Sequence, residues 1–382
     1  MEKKFNIPLC RPAFDESEVR AVTDVLHSGW VAHGTKNKEF EKLLRDFLHV
    51  KGVVLVNSCA SALEAALVCL DITGEILMPS FTMSASANAV VRAGATPVFC
   101  DVSWESGNID PACLEENITP RTQAIMVVHF AGQPCDMDPI LAIAKKYKLK
   151  VIEDSAECIG GLYHNAPAGS FGNVSCFSFW ATKNITTGEG GAIASNDEAF
   201  IARVRAFIAH GIASQTHERH GFVRPWERDS IMAGVNYRMS DIAATIGVEQ
   251  MKKIENLNTI RRKKSERLIR GLVGIQGIDL PSVPEGFVSA WQMFVIKINP
   301  TIRDEFVLKL REMGIGASVH FDPPVHTQTF YKKYASRKPL SITEKLAKSV
   351  VTLPMFPGLT DEEVDYMISC IKSVMSLLVD TP

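Results

Sequence analysis

The chain has 382 residues, 46% of them hydrophobic, enough for a large buried core and for two or three domains. Lys and Arg number 41 and Asp and Glu 43, a net charge of −2 that offers no polyanion-binding surface and excludes nucleic acid as an expected partner. No apolar stretch is long enough to span a bilayer, and Met1-Glu2-Lys3-Lys4-Phe5 does not open a signal peptide, so no membrane partner and a cytoplasmic location are expected. The nine cysteines are scattered and form no C-x-x-C pair, which fits reduced, mostly core thiols.

From about residue 50 to 200, short β-rich runs alternate with helical patterns. A first strand is predicted over 52–56. It runs into Asn57-Ser58-Cys59-Ala60-Ser61-Ala62 and a helix over 61–70. Small residues at such a strand-to-helix turn let backbone N–H groups approach a phosphate, and the helix dipole favours its charge. Further strands are predicted over 75–78, 96–101, 124–129, 149–153, 175–179 and 191–195, with helices over 85–93 and 139–147. Continuous apolar strands alternating with helices imply an α/β fold with a parallel-rich sheet covered on both faces. Ligands of such sheets bind beyond the carboxyl ends of the strands.

Residues 240–274 read as one long amphipathic helix. Beyond it, 290–298 is strand-like, 303–313 helical, 316–320 extended and 361–377 helical, a smaller α+β C-terminal domain. The predicted boundary lies inside the long helix, giving a large domain of 1–250 and a small one of 251–382.

Two residues carry the chemistry. Asp154 closes the apolar run Val151-Ile152-Glu153, and Lys183 follows Cys176-Phe177-Ser178-Phe179-Trp180-Ala181-Thr182, just before Gly188-Glu189-Gly190-Gly191. A strand-end aspartate with a lysine on the next strand's loop suits pyridoxal 5'-phosphate. The lysine holds the aldehyde as a Schiff base and the aspartate keeps the ring nitrogen protonated. A free lysine is neutral in only about one copy in a few thousand at pH 7, so a nucleophilic one needs a lowered pKa or prior Schiff-base formation, and the flanking Phe177, Phe179 and Trp180 offer desolvation. Each residue has a plainer reading. Lys183 alone reads as a solvated surface lysine, and Asp154-Ser155-Ala156-Glu157 also resembles a helix capping box. Ser178 is a further phosphate donor candidate, whereas Gly188, Gly190 and Gly191 suit a tight turn. His320 and His326 flank Asp322, but no second ligand cluster has zinc spacing, so no metal is expected.

In their order and spacing, these segments resemble the sugar aminotransferase family known as DegT/DnrJ/StrS over nearly the whole chain. The resemblance is carried by Ile7-Pro8, Ser28-Gly29-Trp30, Pro79-Ser80-Phe81-Thr82, Asp136-Met137-Asp138-Pro139, Ile152-Glu153-Asp154, the 177–184 run, Gly234-Val235-Asn236-Tyr237-Arg238-Met239, 320–326 and Leu353-Pro354-Met355-Phe356-Pro357-Gly358. It implies an aspartate-aminotransferase-type fold (fold type I), a homodimer with shared active sites, and L-glutamate and a nucleotide-linked keto sugar as substrates. It gives Lys183 the Schiff-base and proton-moving role, and Asp154 the ring nitrogen. Ser178, Cys59, Ala60 and Ser61 fall to the phosphate, and Asn236 to the phosphate of the neighbouring subunit. Trp30, Trp180 and His320 fall to the sugar pocket.

The chain departs from the common pattern at several points. Ala60 stands where many members have threonine, and Met83 where many have an aromatic residue on the cofactor ring. Trp180 replaces the more usual His, Tyr or Phe. Glu157 stands where many have Gln or His near the phenolic oxygen, so it is expected to be protonated or to point elsewhere. Perosamine-synthase-like members share that glutamate and a run like Ile185-Thr186-Thr187-Gly188-Glu189-Gly190-Gly191, which implies amination at C4 of a 4-keto-6-deoxyhexose. Lipopolysaccharide or O-antigen and aminosugar antibiotic pathways both remain open. The alternatives are a sugar 3-dehydratase, whose members replace the lysine by histidine, and a non-enzymatic binder of the cofactor or sugar nucleotide that regulates a partner.

Overall fold

The computed structural model describes residues 4–212, 226, 228–334 and 336–379. Met1 to Lys3, part of the stretch expected not to be a signal peptide, lie outside the described residues.

Two helices lead in: α1 (Glu16–Ser28) and α2 (Thr35–Leu48). Asp15 starts α1 through a capping box with Glu18, and Gly29 ends it in the left-handed region at φ 72°. Then follow β1 (Gly52–Val56), α3 (Cys59–Cys69), β2 (Glu75–Pro79), α4 (Ser84–Arg92), β3 (Thr96–Cys100), β4 (Thr122–Val128), α5 (Met137–Tyr147) and β5 (Lys150–Asp154). Two short strands, β6 (Leu162–Tyr163) and β7 (Ala166–Pro167), precede β8 (Val174–Ser178), β9 (Gly191–Ser195), α6 (Glu198–Phe207) and the long α7 (Asp241–Leu272).

The main sheet has seven strands in the order β1-β9-β8-β5-β4-β2-β3. Its neighbours pair in parallel except at β9, which is antiparallel to both β1 and β8. The expected parallel-rich α/β sheet is thus present, with one reversed strand. Every residue of β1, β2, β8 and β9 is buried, which explains why these runs are apolar without alternation. One face packs on α3, α4 and α6, through Leu63, Leu67, Val90 and Val204. The other packs on α2 and α7, through Phe40, Leu44, Ala244, Val248 and Met251.

The C-terminal portion holds β10 (Ile278–Asp279), β11 (Phe287–Val288), β12 (Phe294–Ile298), α8 (Arg303–Glu312), α9 (Ser341–Ser349), β13 (Val350–Leu353) and α10 (Asp361–Val379). Strands β10, β12 and β13 form a second sheet. Helix α7 passes unbroken through residue 250. It gives Ile254 and Leu257 to the core under the main sheet, and Leu268 and Leu272 to the C-terminal core.

Two predicted strands are shorter or absent. The stretch 290–298 is a strand only from Phe294, because Trp291 has φ 47° and Ala290 and Met293 donate to the carbonyls of Gly132 and Ala131 instead of to a ladder. The stretch 316–320 makes a single bridge, Ser318 with Thr352. Among the described residues no helix is long and apolar enough to cross a membrane.

Candidate active site

Because β1, β2, β4, β5 and β8 run the same way, their carboxyl ends share one edge of the sheet. That edge carries the turn into α3, the turn into α4, Asp154 and the loop to Lys183.

Asp154 is the last residue of β5 and is 5% exposed. It caps no helix, so the capping-box reading of 154–157 is not realised; Glu157 turns away from the Asp154 backbone. The carboxylate accepts the Ser86 hydroxyl of α4 at 2.7 Å and the Ala156 N–H at 3.2 Å. Burial raises its pKa above the usual carboxylate range, against those two hydrogen bonds. A buried carboxylate calls for a cation, and among the described residues none lies within salt-bridge distance.

Lys183 follows β8 in a turn closed by its own N–H on the Trp180 carbonyl. Its Nζ lies 3.3 Å from Glu157 Oε1, and both side chains are largely buried. Glu157 Oε2 accepts the Ala131 N–H at 2.9 Å. Glu157 thus forms an ion pair with Lys183.

Ser58 caps α3: its Oγ accepts the Ser61 N–H at 3.1 Å. The Ser61 amide is therefore satisfied locally, and the Cys59 and Ala60 N–H groups are left without acceptors in the helix. Cys59 Sγ lies 4.0 Å from Asp154 Oδ1, which places this turn over the carboxylate. Gly191 allows the approach. A Cβ there would come within 2.7 Å of Ser58 and Cys59 backbone atoms, so this glycine, expected in a tight turn, serves strand packing against the phosphate-type turn.

Ser178 ends β8 and its Oγ accepts the Trp180 N–H at 3.3 Å. Met83 precedes α4 and is exposed; Trp180 is half exposed. His320 hydrogen-bonds Thr352 Oγ1 through Nδ1 at 2.9 Å. Burial lowers its pKa, with Glu157 opposing and Lys183 reinforcing the shift. Trp180 and His320 line one cavity of about 110 Å³, together with Cys10, Thr182, Gln292 and Met355.

Two predicted residues are held by other partners, although the Asn236 segment runs beside the turn into α3, where the Asn57 N–H donates to the Tyr237 carbonyl. Asn236 is paired with Arg238 Nε at 2.9 Å. The Trp30 indole donates to the His33 carbonyl at 3.3 Å, in the loop between α1 and α2. Neither has a hydrogen bond to Lys183, Asp154 or Glu157. Sequence reading missed Ser86, Ala131 and Gln292. Ser86 is a small polar residue on the buried side of α4, a hint visible only once that helix is known to face Asp154.

These groups fit pyridoxal phosphate. The unpaired buried carboxylate suits a protonated ring nitrogen, the open amides of α3 suit a phosphate, and a shielded lysine lies close by.

The comparisons agree. Residues 12–372 match the DegT/DnrJ/EryC1/StrS aminotransferase family. The chain is 34% identical to the spore coat polysaccharide biosynthesis protein SpsC of Bacillus subtilis, over 97% of each chain. It superposes with TM-score 0.93 on the putative sugar aminotransferase Spr1654 of Streptococcus pneumoniae in its PMP form, 28% identical, covering 98% of this chain and 100% of that one. PseC of Helicobacter pylori, an aminotransferase of pseudoaminic acid biosynthesis, gives a TM-score of 0.91 at 28% identity and the same coverage. The fold is therefore that of the type I pyridoxal-phosphate aminotransferases, and the chain belongs to the DegT/DnrJ/EryC1/StrS aminotransferase family, an enzyme with pyridoxal phosphate as its cofactor.

Proposed function

We propose that this sugar aminotransferase works by ping-pong transamination: L-glutamate gives its amino group and leaves as 2-oxoglutarate, and a nucleotide-linked 4-keto-6-deoxyhexose then accepts it at C4. Pyridoxal phosphate supplies the electron sink for breaking the Cα–H bond. Lys183 Nζ would hold the cofactor's aldehyde carbon and serve as the proton carrier for the donor Cα. Glu157 Oε1 accepts from that Nζ, and the Ala131 N–H fixes the other oxygen, so the pair gives Nζ a defined place. Asp154, held by Ser86 and Ala156, meets the ring nitrogen. The Cys59 and Ala60 amides, with Ser61 and Ser178 beside them, take the phosphate. Met83 covers the ring. Trp180 and His320 wall the sugar pocket.

The observation that carries this reading is the buried Asp154 carboxylate, without a cation among the described residues, next to the shielded Lys183–Glu157 pair. C4 is favoured by Glu157 and the 185–191 run. The polysaccharide role in the name of SpsC favours a product destined for a surface glycan. A homodimer sharing its sites, with Asn236 and Trp30 serving the partner's site, accounts for the exposure of Trp30 and Met83. A cytoplasmic location fits substrates of this kind. Lys183 stands against the dehydratase alternative.

The test follows the visible absorption of the bound cofactor. L-Glutamate should bleach it, and one member of a panel of dTDP-, UDP- and GDP-linked 4-keto-6-deoxyhexoses should restore it. Bleaching by another amino acid alone would move the donor, and restoration only by 3-keto sugars would move the carbon.

A further inference from the structure

Gln292 lines the cavity beside Lys183 and is 5% exposed. Its Nε2 donates to the carbonyl of Thr182, the residue before Lys183, at 3.1 Å. That bond fixes the amide's orientation, because a carbonyl accepts only from the NH₂ end. The other end, Oε1, is buried and has no hydrogen-bond partner among the described residues. A buried amide oxygen left unpaired is costly, of the order of 1–3 kcal/mol. It therefore calls for a donor, and the cavity, about 110 Å³, is several times the roughly 10–15 Å³ that one water needs.

The surroundings say which donor. Cys10 and Met355 line the same cavity, and behind them lies Arg261 of α7, 1% exposed, whose guanidinium donates to the Met355 carbonyl at 3.1 Å. Its Nε is unpartnered and among the described residues no carboxylate pairs with it. An ammonium brought to Oε1 would meet that desolvated positive charge, while a neutral hydroxyl would not. His320 lines the same cavity and engages Thr352 through Nδ1, which leaves Nε2 as its other hydrogen-bonding atom. A hydroxyl can use both neighbours, as donor to one and through its lone pairs to the other.

Resting on the functional reading above, we infer that Gln292 is a substrate-positioning residue whose Oε1 accepts a hydrogen bond from the acceptor sugar's hydroxyl next to the keto carbon. A site built to bond a hydroxyl rejects the analogue that lacks it, because the oxygen is then left unpaired. Gln292 thus selects sugars that keep this hydroxyl over their deoxygenated counterparts.

The experiment uses the holoenzyme, first converted by L-glutamate, then mixed with the active keto sugar or its 3-deoxy analogue, with return of visible absorption as the readout. The wild type should react about 10- to 100-fold faster with the hydroxylated sugar at limiting concentration. In Gln292→Met this preference should fall to about unity, with a larger loss in the sugar half-reaction than in the glutamate one. Cofactor absorption and glutamate bleaching report that the variant is folded. An undiminished preference in Gln292→Met, or equal losses in both half-reactions, would overturn the assignment. If no keto sugar restores the wild-type absorption, the functional reading itself falls and takes this assignment with it.

Discussion

The site has a floor and a wall, and they are made differently. The floor consists of strand and helix ends: Asp154 at the end of β5, Ser178 at the end of β8, and the capped start of α3. The wall comes from irregular backbone: Gln292 beside Trp291 at φ 47°, and His320 beyond a single bridge to β13. Regular elements hold a charge within a fraction of an ångström because the whole sheet fixes them. Loops set by tertiary contacts can change their side chains without disturbing the sheet. On the proposed function, chemistry common to both half-reactions falls to the floor, and choice of sugar to the wall.

Substitutions should separate the two. Lys183→Ala should have the largest effect, about 10²–10⁴-fold or more on both half-reactions, because the proton mover is gone. Single-turnover rates with glutamate and with the keto sugar would check this, and loss in one only would blur the division. Asp154→Asn removes a buried charge partner worth about 3 kcal/mol, so both half-reactions should slow about 10²-fold. Ser86→Ala deletes a hydrogen bond to a charged group, about 1.5 kcal/mol or more, and both should slow about tenfold. An effect confined to the sugar step would place Ser86 in the wall.

The smallest effect is on the pH dependence of stability in the cofactor-free protein, where floor and wall should differ in sign. Burial raises the Asp154 pKa, so the folded chain holds a proton there that the unfolded chain releases. That contribution is present below the ordinary carboxylate pKa and is lost as pH rises above it. Burial lowers the His320 pKa, so between its folded pKa and about 6.5 the unfolded chain binds more protons. Its contribution is present above about 6.5 and is lost as pH falls. Denaturant titrations should show Asp154→Asn flattening the first slope and His320→Gln the second; unchanged slopes would deny these groups their buried roles.

The same division explains what was readable in the sequence. Continuous apolar runs and the residues that end them announced the main sheet, Asp154 and Lys183, since strand ends follow from local pattern. Gln292 lay inside a run that looks like strand from 290 onward, and only contacts with Ala131 and Gly132, far away in sequence, turn its backbone out of the ladder. Glu157 reads as a site residue only through the family resemblance, and its direction depends on the Ala131 amide, which no local spacing reveals. Ser86 reads as an ordinary helical serine until α4 is placed beside β5.

The most direct measurement is reductive trapping. Borohydride added to the holoenzyme fixes the cofactor covalently on the lysine that holds it, and peptide mass mapping then identifies that residue. The cofactor mass should appear on the peptide containing Lys183 and vanish in Lys183→Ala. A label on any other lysine, or none at all, would contradict the site described above.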